Sequence, residues 1–200
     1  MFPEIEKLLR WFRSDPEVDE ALEHWTPPTI KAVDPVSIVR EALQQSRLVN
    51  SRESDVAFYV EAERDGELNG RDARKRGTAL SASEKAESGI RYRGILTHQF
   101  VDTLTDEGLL DPVEAGWIIA NTIRSRINSA GQAAQAEAYK MAVELIASNG
   151  AAGPCFYAGK YHGKKWEPSR APLLPVESCA HPGQCFCIYK CVQYSDDYDV

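Results

Sequence analysis

The sequence predicts a mainly α fold: a helical bundle with an N-terminal helical arm and a small Cys-rich C-terminal β-hairpin. Apolar residues recur at helical spacing through most of the first 150 residues, and four of the five cysteines follow residue 178. Helix starts are marked by three Asp-Pro steps, in which the aspartate can cap the helix and the proline presets a helical φ. The steps are Asp15-Pro16, Asp34-Pro35 and Asp111-Pro112. We therefore divide the chain into an arm (1–50), a helical body (51–150) and a Pro/Gly/Cys-rich β appendage (151–200).

Bulk composition excludes several classes of protein. The chain has 200 residues, 43% of them hydrophobic, with a formal net charge of −7. These values suit a globular domain and argue against wholesale nucleic-acid binding, which requires a basic surface. The sequence contains neither an apolar run long enough to span a membrane nor a signal peptide. We therefore expect a cytoplasmic protein without membrane contact, in which cysteines bind metal or stay free more often than they form disulfides.

The sequence of the arm predicts three short helices, which begin after Pro3, Pro16 and Pro35. Such short helices have little core of their own and must pack against the body or against a partner. The aromatic residues Trp11, Phe12 and Trp25 are accordingly either core or a docking surface. We expect the arm to bind other structural proteins or a second copy of the chain. The apolar positions on which this reading depends are Ile5, Leu8, Leu9 and Phe12, then Val18, Leu22 and Trp25, then Ile38, Val39, Ala42 and Leu43.

The sequence of the body predicts further helices. It also contains one segment that fits either a strand or a helix and one segment predicted to be an exposed loop. Residues 51–64 fit a strand or a helix, and residues 65–78 are polar and predict an exposed loop. A helix is predicted over 83–105, in which Gly89 and Gly94 cost about 1 kcal/mol each and predict a break or close packing. A strong helix begins after Asp111 and carries Trp117 and Ile123 on its apolar side. Another helix is predicted over 132–148, closed by Asn149-Gly150.

The C-terminal appendage predicts a strand over residues 185–194. Side chains alternate across a strand, which places Cys185, Cys187 and Cys191 on one face together with Tyr189. The other face then carries Phe186, Ile188 and Lys190.

The cysteine cluster offers a candidate structural zinc site. Tetrahedral zinc takes four thiolate or imidazole ligands, and Pro182-Gly183 can turn the chain between them. No C-x-x-C pair is present, so a packed face of free thiols and a disulfide-linked knot remain alternatives. The candidate ligands are Cys179, His181, Cys185, Cys187 and Cys191.

The same segment resembles the C-terminal end of the Mu-type phage head-morphogenesis (minor capsid) family. That family ends in a His-Pro-x-Cys-Arg-Cys pattern after a helical body. Here one extra residue separates Pro182 from Cys185, Phe186 replaces the arginine, and Cys155 stands alone where paired upstream cysteines are usual. The resemblance implies a virion or assembly protein near the portal, which would move from the host cytoplasm into the virion. The residues that carry it are Pro172, Pro175, Cys179, His181, Pro182, Cys185 and Cys187.

Two functional classes follow. The favoured one is a non-enzymatic structural or assembly protein of a phage particle (minor capsid, head-morphogenesis or neck-type). The alternative is a cytosolic enzyme or regulatory protein with a structural zinc site at its C-terminus. Two pairs could act as catalytic groups, Cys155 with His162 and His98 with Asp102, but both read more simply as structural residues.

The most basic stretch of the chain is the predicted loop, with Arg71, Arg74, Lys75 and Arg76. Arg91 and Arg93 add to it. Such a cluster can meet phosphate, but a solvated loop is the simpler reading. With a net charge of −7 we expect at most local nucleic-acid contact.

Overall fold

A computed structural model describes residues 33–68, 73–147, 156–176, 179, 185 and 187–193. This part of the chain is mainly α with a small antiparallel sheet, as the sequence predicts. The two predicted helices before Pro35 lie outside the described residues. The helices are α1 (Pro35–Gln44), α2 (Glu53–Arg64), α3 (Ala82–Glu87), α4 (His98–Thr103), α5 (Asp106–Leu110), α6 (Pro112–Ala138) and α7 (Phe156–Tyr161); the strands are β1 (Ala142–Ile146), β2 (Lys165–Trp166) and β3 (Ile188–Val192); short 3₁₀ turns occupy Ala73–Lys75 and Pro168–Arg170.

Two of the three Asp-Pro helix starts fall in the described part, and both are confirmed. The Asp34 carboxylate accepts the backbone N–H of Val36 at 3.0 Å and of Ser37 at 3.3 Å. The Asp111 carboxylate accepts the N–H of Glu114 at 3.1 Å. Each aspartate satisfies an N–H at the helix start that has no partner within the helix.

The ambiguous segment after residue 50 is a helix. The Asp55 carboxylate accepts the backbone N–H of Arg52 at 2.9 Å and pairs with its guanidinium at 2.8 Å. Val56, Tyr59 and Ala62 are buried, and their three-residue spacing is helical. The polar cap and the buried stripe together outweigh the strand-like alternation of Val56, Phe58 and Val60.

The helix predicted over 83–105 is divided in two, and the break expected at its glycines is present. Gly89, with φ of 70°, follows α3, and the chain then has no regular helix until Thr97 caps α4. The backbone N–H of Leu80 donates to the carbonyl of Leu96 at 2.8 Å, which closes an antiparallel bridge across this segment. A left-handed glycine and a new cap therefore divide the stretch in two.

The prediction of a helix over 132–148 is wrong. Helix α6 continues through Gln132 to Ala138, and Lys140, with φ of 53°, lies in the left-handed region that ends it. The next residues form β1, which lies between its antiparallel neighbours β2 and β3. The strand partners lie far along the chain, so no local signal marks β1.

Buried residues form two clusters that share α6. The helical core lies between α1, α2, α4 and α6, where Val39, Phe100 and Ile123 are fully buried. The third helix of the predicted arm, α1, is thus part of this core. The sheet core lies between the sheet and the end of α6 and consists of Ala136, Val143, Leu145, Leu174 and Tyr189. No helix among the described residues is long and apolar enough to cross a membrane.

Candidate functional site: the C-terminal thiol cluster

Strand β3 brings the Cys-rich segment onto the body. Its register with β1 pairs Cys191 with Val143 and Tyr189 with Leu145. Tyr189 is 2% exposed, whereas its neighbour Ile188 is 52% exposed. Lys190 is also exposed and Cys191 is half-buried. The predicted alternation of inner and outer faces is therefore confirmed for residues 188–191, and β3 pairs with β1, which lies more than forty residues earlier in the chain.

Three of the C-terminal thiols, those of Cys179, Cys185 and Cys187, lie together. The Cys185 thiol is hydrogen-bonded to Cys179 and to Cys187, and all three side chains are half-buried free thiols. The hydrogen bond to Cys179, then that to Cys187, then burial raise the pKa of the Cys185 thiol well above its ordinary value. Cys185 is therefore a neutral thiol at pH 7. We call Cys179, Cys185 and Cys187 the thiol cluster.

Cys191 is held separately from the thiol cluster. Its Sγ donates to the backbone carbonyl of Gln132 on α6 at 3.8 Å, and burial raises the pKa of its thiol. The Gln132 side chain in turn accepts the backbone N–H of Tyr189 at 3.0 Å. Cys191 therefore belongs to the contact between β3 and α6.

The five predicted zinc ligands thus divide into three groups. Cys179, Cys185 and Cys187 meet, Cys191 packs against α6, and His181 lies outside the described residues. Within the described part of the chain, no group of three or more His, Cys, Asp or Glu side chains is placed to hold a metal ion. Three of the five predicted ligands are thus brought together, and whether they bind metal stays a prediction.

Two cavities flank the thiol cluster. The larger, about 370 Å³, lies between α1, α5 and α6 and has Cys179 on its wall. The smaller, about 190 Å³, lies on the polar side of α6 and is lined by Cys185 and Cys187. The cluster therefore contributes side chains to the lining of both cavities.

A buried arginine lines the larger cavity, and sequence reasoning missed it. Arg126 is 5% exposed; its Nη2 donates to Gln45 Oε1 and its Nη1 lies 3.7 Å from the Glu41 carboxylate. It lies on the buried face of α6, three residues after Ile123 and seven after Ile119. The sequence did contain a signal for this burial, because Arg126 falls at helical spacing within the apolar stripe of α6.

The histidines proposed as bases make structural contacts. His98 Nε2 lies 3.3 Å from the Glu84 carboxylate on α3. His162 Nδ1 accepts the backbone N–H of Ala147 at 3.1 Å. Asp102 offers its carbonyl to Arg52, and Cys155 lies outside the described residues. Among these, the contacts of His98 and His162 tie neighbouring segments together.

The predicted basic loop is only partly a solvated surface. Arg74 is 6% exposed, and its guanidinium lies 5.6 Å from the centre of the Tyr92 ring. Arg76 pairs with the carboxylates of Glu67, Asp65 and Glu61 at 2.6, 2.8 and 3.0 Å, and hydrogen bonds to them raise its pKa further. These two arginines thus serve internal contacts. Lys75 is exposed, and Arg71 lies outside the described residues.

Comparison with known proteins yields no relative. No protein-family model matches the chain, nor does any curated protein or solved structure.

Proposed function

We propose that this chain is a non-enzymatic structural or assembly protein of a phage particle, of the minor capsid, head-morphogenesis or neck type. The single observation that carries the proposal is the way in which the motif-bearing C-terminal segment joins the body. Its strand β3 pairs with β1 along all five residues, and Tyr189 is buried in the sheet core. The strand that directly follows the resembling residues is thus paired with the body, which supports the proposal.

The packing of this segment supports a structural role. Tyr189 Oη donates to the carbonyl of Pro172 at 2.7 Å, and the backbone N–H of Leu174 donates to Ser129 on α6 at 3.0 Å. The Pro-rich lead and the strand are therefore both fastened to the body. The contact between Cys179 and Cys185 supports the further proposal of a Cys-rich C-terminal hairpin.

The partner-binding element in this proposal is the part of the arm that precedes α1. Since α1 belongs to the helical core, removing residues 1–32 separates arm from body without cutting the core. We expect the full chain to form oligomers or to co-sediment with portal or capsid proteins of the same phage, and the chain lacking residues 1–32 to remain folded but to lose this assembly. Analytical ultracentrifugation and circular dichroism measure the two properties. Unchanged assembly of the truncated chain would count against the proposal.

The second candidate function is a structural metal site, and the thiol cluster favours it. Cys185 is hydrogen-bonded to both Cys179 and Cys187, and a rearrangement of the three side chains would be needed to surround zinc, whose bonds to sulfur are about 2.3 Å. His181, two residues after Cys179, is the fourth ligand that the sequence offers. Because the Cys185 thiol is neutral when no metal is bound, zinc would have to displace its proton, so affinity should rise with pH.

Metal analysis of protein purified without chelators tests this candidate. We expect about one zinc per chain, lost in Cys185→Ser and in His181→Ala but retained in Cys191→Ser, whose sulfur contacts α6 instead. Less than a tenth of an equivalent in the unaltered chain would remove the metal and leave the thiols as core.

A further inference from the structure

The thiol cluster brings together the sulfurs that an intrachain disulfide would join. Cys185 is hydrogen-bonded to Cys179 and to Cys187, and none of the three is in a disulfide. Because a sulfur takes part in only one S–S bond, Cys185 can be oxidised together with one of these two neighbours and not with both. The cluster therefore offers two pairings through Cys185, and the chain around each sulfur decides between them.

Cys187 is the less suitable partner for Cys185. An extended chain sets the Cα atoms of residues i and i+2 about 6.6 Å apart, near the upper limit of about 6.8 Å for a disulfide, so this bond requires a tight bend. Cys187 directly precedes β3, whose first residue Ile188 pairs with Ile146, and its side chain packs against the sheet core. A bend at Cys187 would disturb both contacts.

Cys179 meets neither restriction. It lies six positions before Cys185, so the closed loop does not require a bend between near neighbours in the chain. The backbone N–H of Cys179 donates to the carbonyl of Val176 at 2.9 Å, and the N–H of Leu174 donates to Ser129 on α6 at 3.0 Å. A bond from Cys179 to Cys185 would therefore join a segment that is fastened to the body to the segment that enters β3.

Both sulfurs lie within reach of a small oxidant. Cys179 and Cys185 are half-buried. Cys179 lines the larger cavity, about 370 Å³ in volume, and Cys185 lines the smaller, about 190 Å³. Hydrogen peroxide is close to water in size and fits either cavity, so the pair can be oxidised without unfolding of the sheet core.

We propose that Cys179 and Cys185 are a redox-active pair that hydrogen peroxide, a two-electron oxidant, converts to an intrachain disulfide, while Cys187 and Cys191 stay thiols. The bond fastens the C-terminal strand to the body. It is absent in a reducing cytoplasm and forms in oxidising surroundings such as the surface of a virion. This timing rests on the proposed function, whereas the pairing itself does not. Zinc would compete with the bond, because both need the same sulfurs.

The chemistry has two steps. The Cys179 thiol gives up its proton and its sulfur attacks one peroxide oxygen; the O–O bond breaks, and the other oxygen leaves as water with that proton. The Cys185 sulfur then attacks the resulting sulfenic acid, and the hydroxyl group leaves as a second water with the Cys185 proton. Two thiols are oxidised to one disulfide, and one peroxide is reduced to two waters.

Peptide mapping of the full chain tests the pairing. Reduced, chelator-treated protein is exposed to hydrogen peroxide, blocked with iodoacetamide, denatured and digested with chymotrypsin, which cuts after Phe186. We expect one bond on the N-terminal side of this cut, and the fragment with Cys187 to separate without reduction and to carry the alkyl label. Fragments that stay linked across Phe186, a bond to any other cysteine, disulfide-linked dimers, or no disulfide would overturn the proposal.

Matched controls show whether the fold selects the pair. Cys187→Ser should keep the bond, and Cys179→Ser should lose it. The unaltered chain oxidised in denaturant should give a mixture that includes bonds to Cys187 or Cys191, because short loops close readily in an unfolded chain. The same mixture from the folded chain, or a bond that forms equally well in Cys179→Ser, would show that the contact between Cys179 and Cys185 does not direct the pairing.

Hydrogen exchange tests what the bond does. Closing a loop of seven residues restricts the opened state, so the bond should slow amide exchange in β3 by roughly tenfold and leave α1 and α2 unchanged. Dithiothreitol should restore the original rate. Unchanged exchange in β3 would refute the fastening role. Assembly is measured on the same samples: the expected bond without any assembly would refute the proposed function alone, and assembly without the bond would refute this inference alone.

Discussion

The helical core and the sheet core are built in different ways, although α6 runs through both. The helical core is mainly aliphatic and aromatic, and polar groups such as Thr103 and Arg126 are buried at its margins. The sheet core is small, and specific polar contacts tie it to α6: Leu174 N–H to Ser129, Tyr189 N–H to Gln132 and the Cys191 thiol to the Gln132 carbonyl. Apolar burial of this extent makes the first core the main source of stability. The second depends on a few directional bonds, so it should open first.

The largest expected effect is in the helical core. Phe100 is fully buried, and Phe100→Ala should lower the free energy of unfolding by about 3–5 kcal/mol, because the ring leaves a cavity. Urea denaturation measures the loss. The matched variant in the sheet core is Leu174→Ala, at a residue 2% exposed. It should cost less, and the loss of amide protection should be confined to β1 and its partners. Equal losses, with protection lost throughout, would show that the two cores are one cooperative unit.

The packing along α6 gives the next effect. A Cβ at Gly116 would lie 2.9 Å from the Phe100 ring and 3.1 Å from the Arg74 side chain. We expect Gly116→Ala to destabilise the chain by about 1–3 kcal/mol through overpacking. A Cβ at Gly131, on the same helix, would have no neighbour within 4 Å, so Gly131→Ala should instead stabilise by about 1 kcal/mol through helix propensity. The same sign for both variants would refute the asymmetry.

A smaller effect is expected where the sheet meets α6. Gln132→Ala removes the acceptor of the Tyr189 N–H and should cost about 1 kcal/mol. Hydrogen exchange should accelerate in β3 while α1 and α2 stay protected. Gln135→Ala is the control, since this glutamine is exposed on the same helix. If the two variants behave alike, the hydrogen bond to Tyr189 is not what holds β3.

The local parts of the fold could be predicted from sequence, and the non-local parts could not. Asp34-Pro35 and Asp111-Pro112 carry the cap acceptor and the helical proline in adjacent positions, so the helix starts are visible. Gly89 could be recognised in the sequence as a weak position in a helix. The path of the chain after Gly89, however, depends on the bridge between Ala79 and Thr97. Strand β1 could not be predicted from the sequence, because residues 141–147 are also compatible with a helix. Their strand conformation depends on pairing with β3.

The candidate site shows the same limit. Alternation correctly places Tyr189 inside and Ile188 outside, since a strand alternates whatever its partners are. The contact of Cys185 with Cys179, and the separate position of Cys191, depend on how the chain returns to α6. The burial of Arg74 and Arg126 likewise results from tertiary packing, which composition alone does not reveal.

The smallest expected effect is a difference in how the stability of the two regions depends on pH. In the helical region, hydrogen bonds from Ser37 and Val36 lower the pKa of Asp34, and those from Ser81 lower the pKa of Glu84. A lowered pKa gives stability that is present above the ordinary value, near 4, and is lost as pH falls through the folded-state value. In the thiol cluster the pKa of Cys185 is raised above 9.0, so its contribution is present below pH 9.0 and is lost as pH rises further.

Urea denaturation of reduced, metal-free protein from pH 2 to pH 11 tests this difference. Asp34→Asn should flatten the acid decline only, and Cys185→Ser should flatten the alkaline decline that begins near pH 9. Burial also raises the pKa of Tyr59 in the helical core above 10.0, so a second alkaline decline should persist in Cys185→Ser and disappear in Tyr59→Phe. An alkaline decline that is identical with and without Cys185 would mean that the pKa of the Cys185 thiol is not raised by its surroundings. The thiol cluster would then not be packed as described, and the comparison between the two cores would rest on Tyr189 and Gln132 alone.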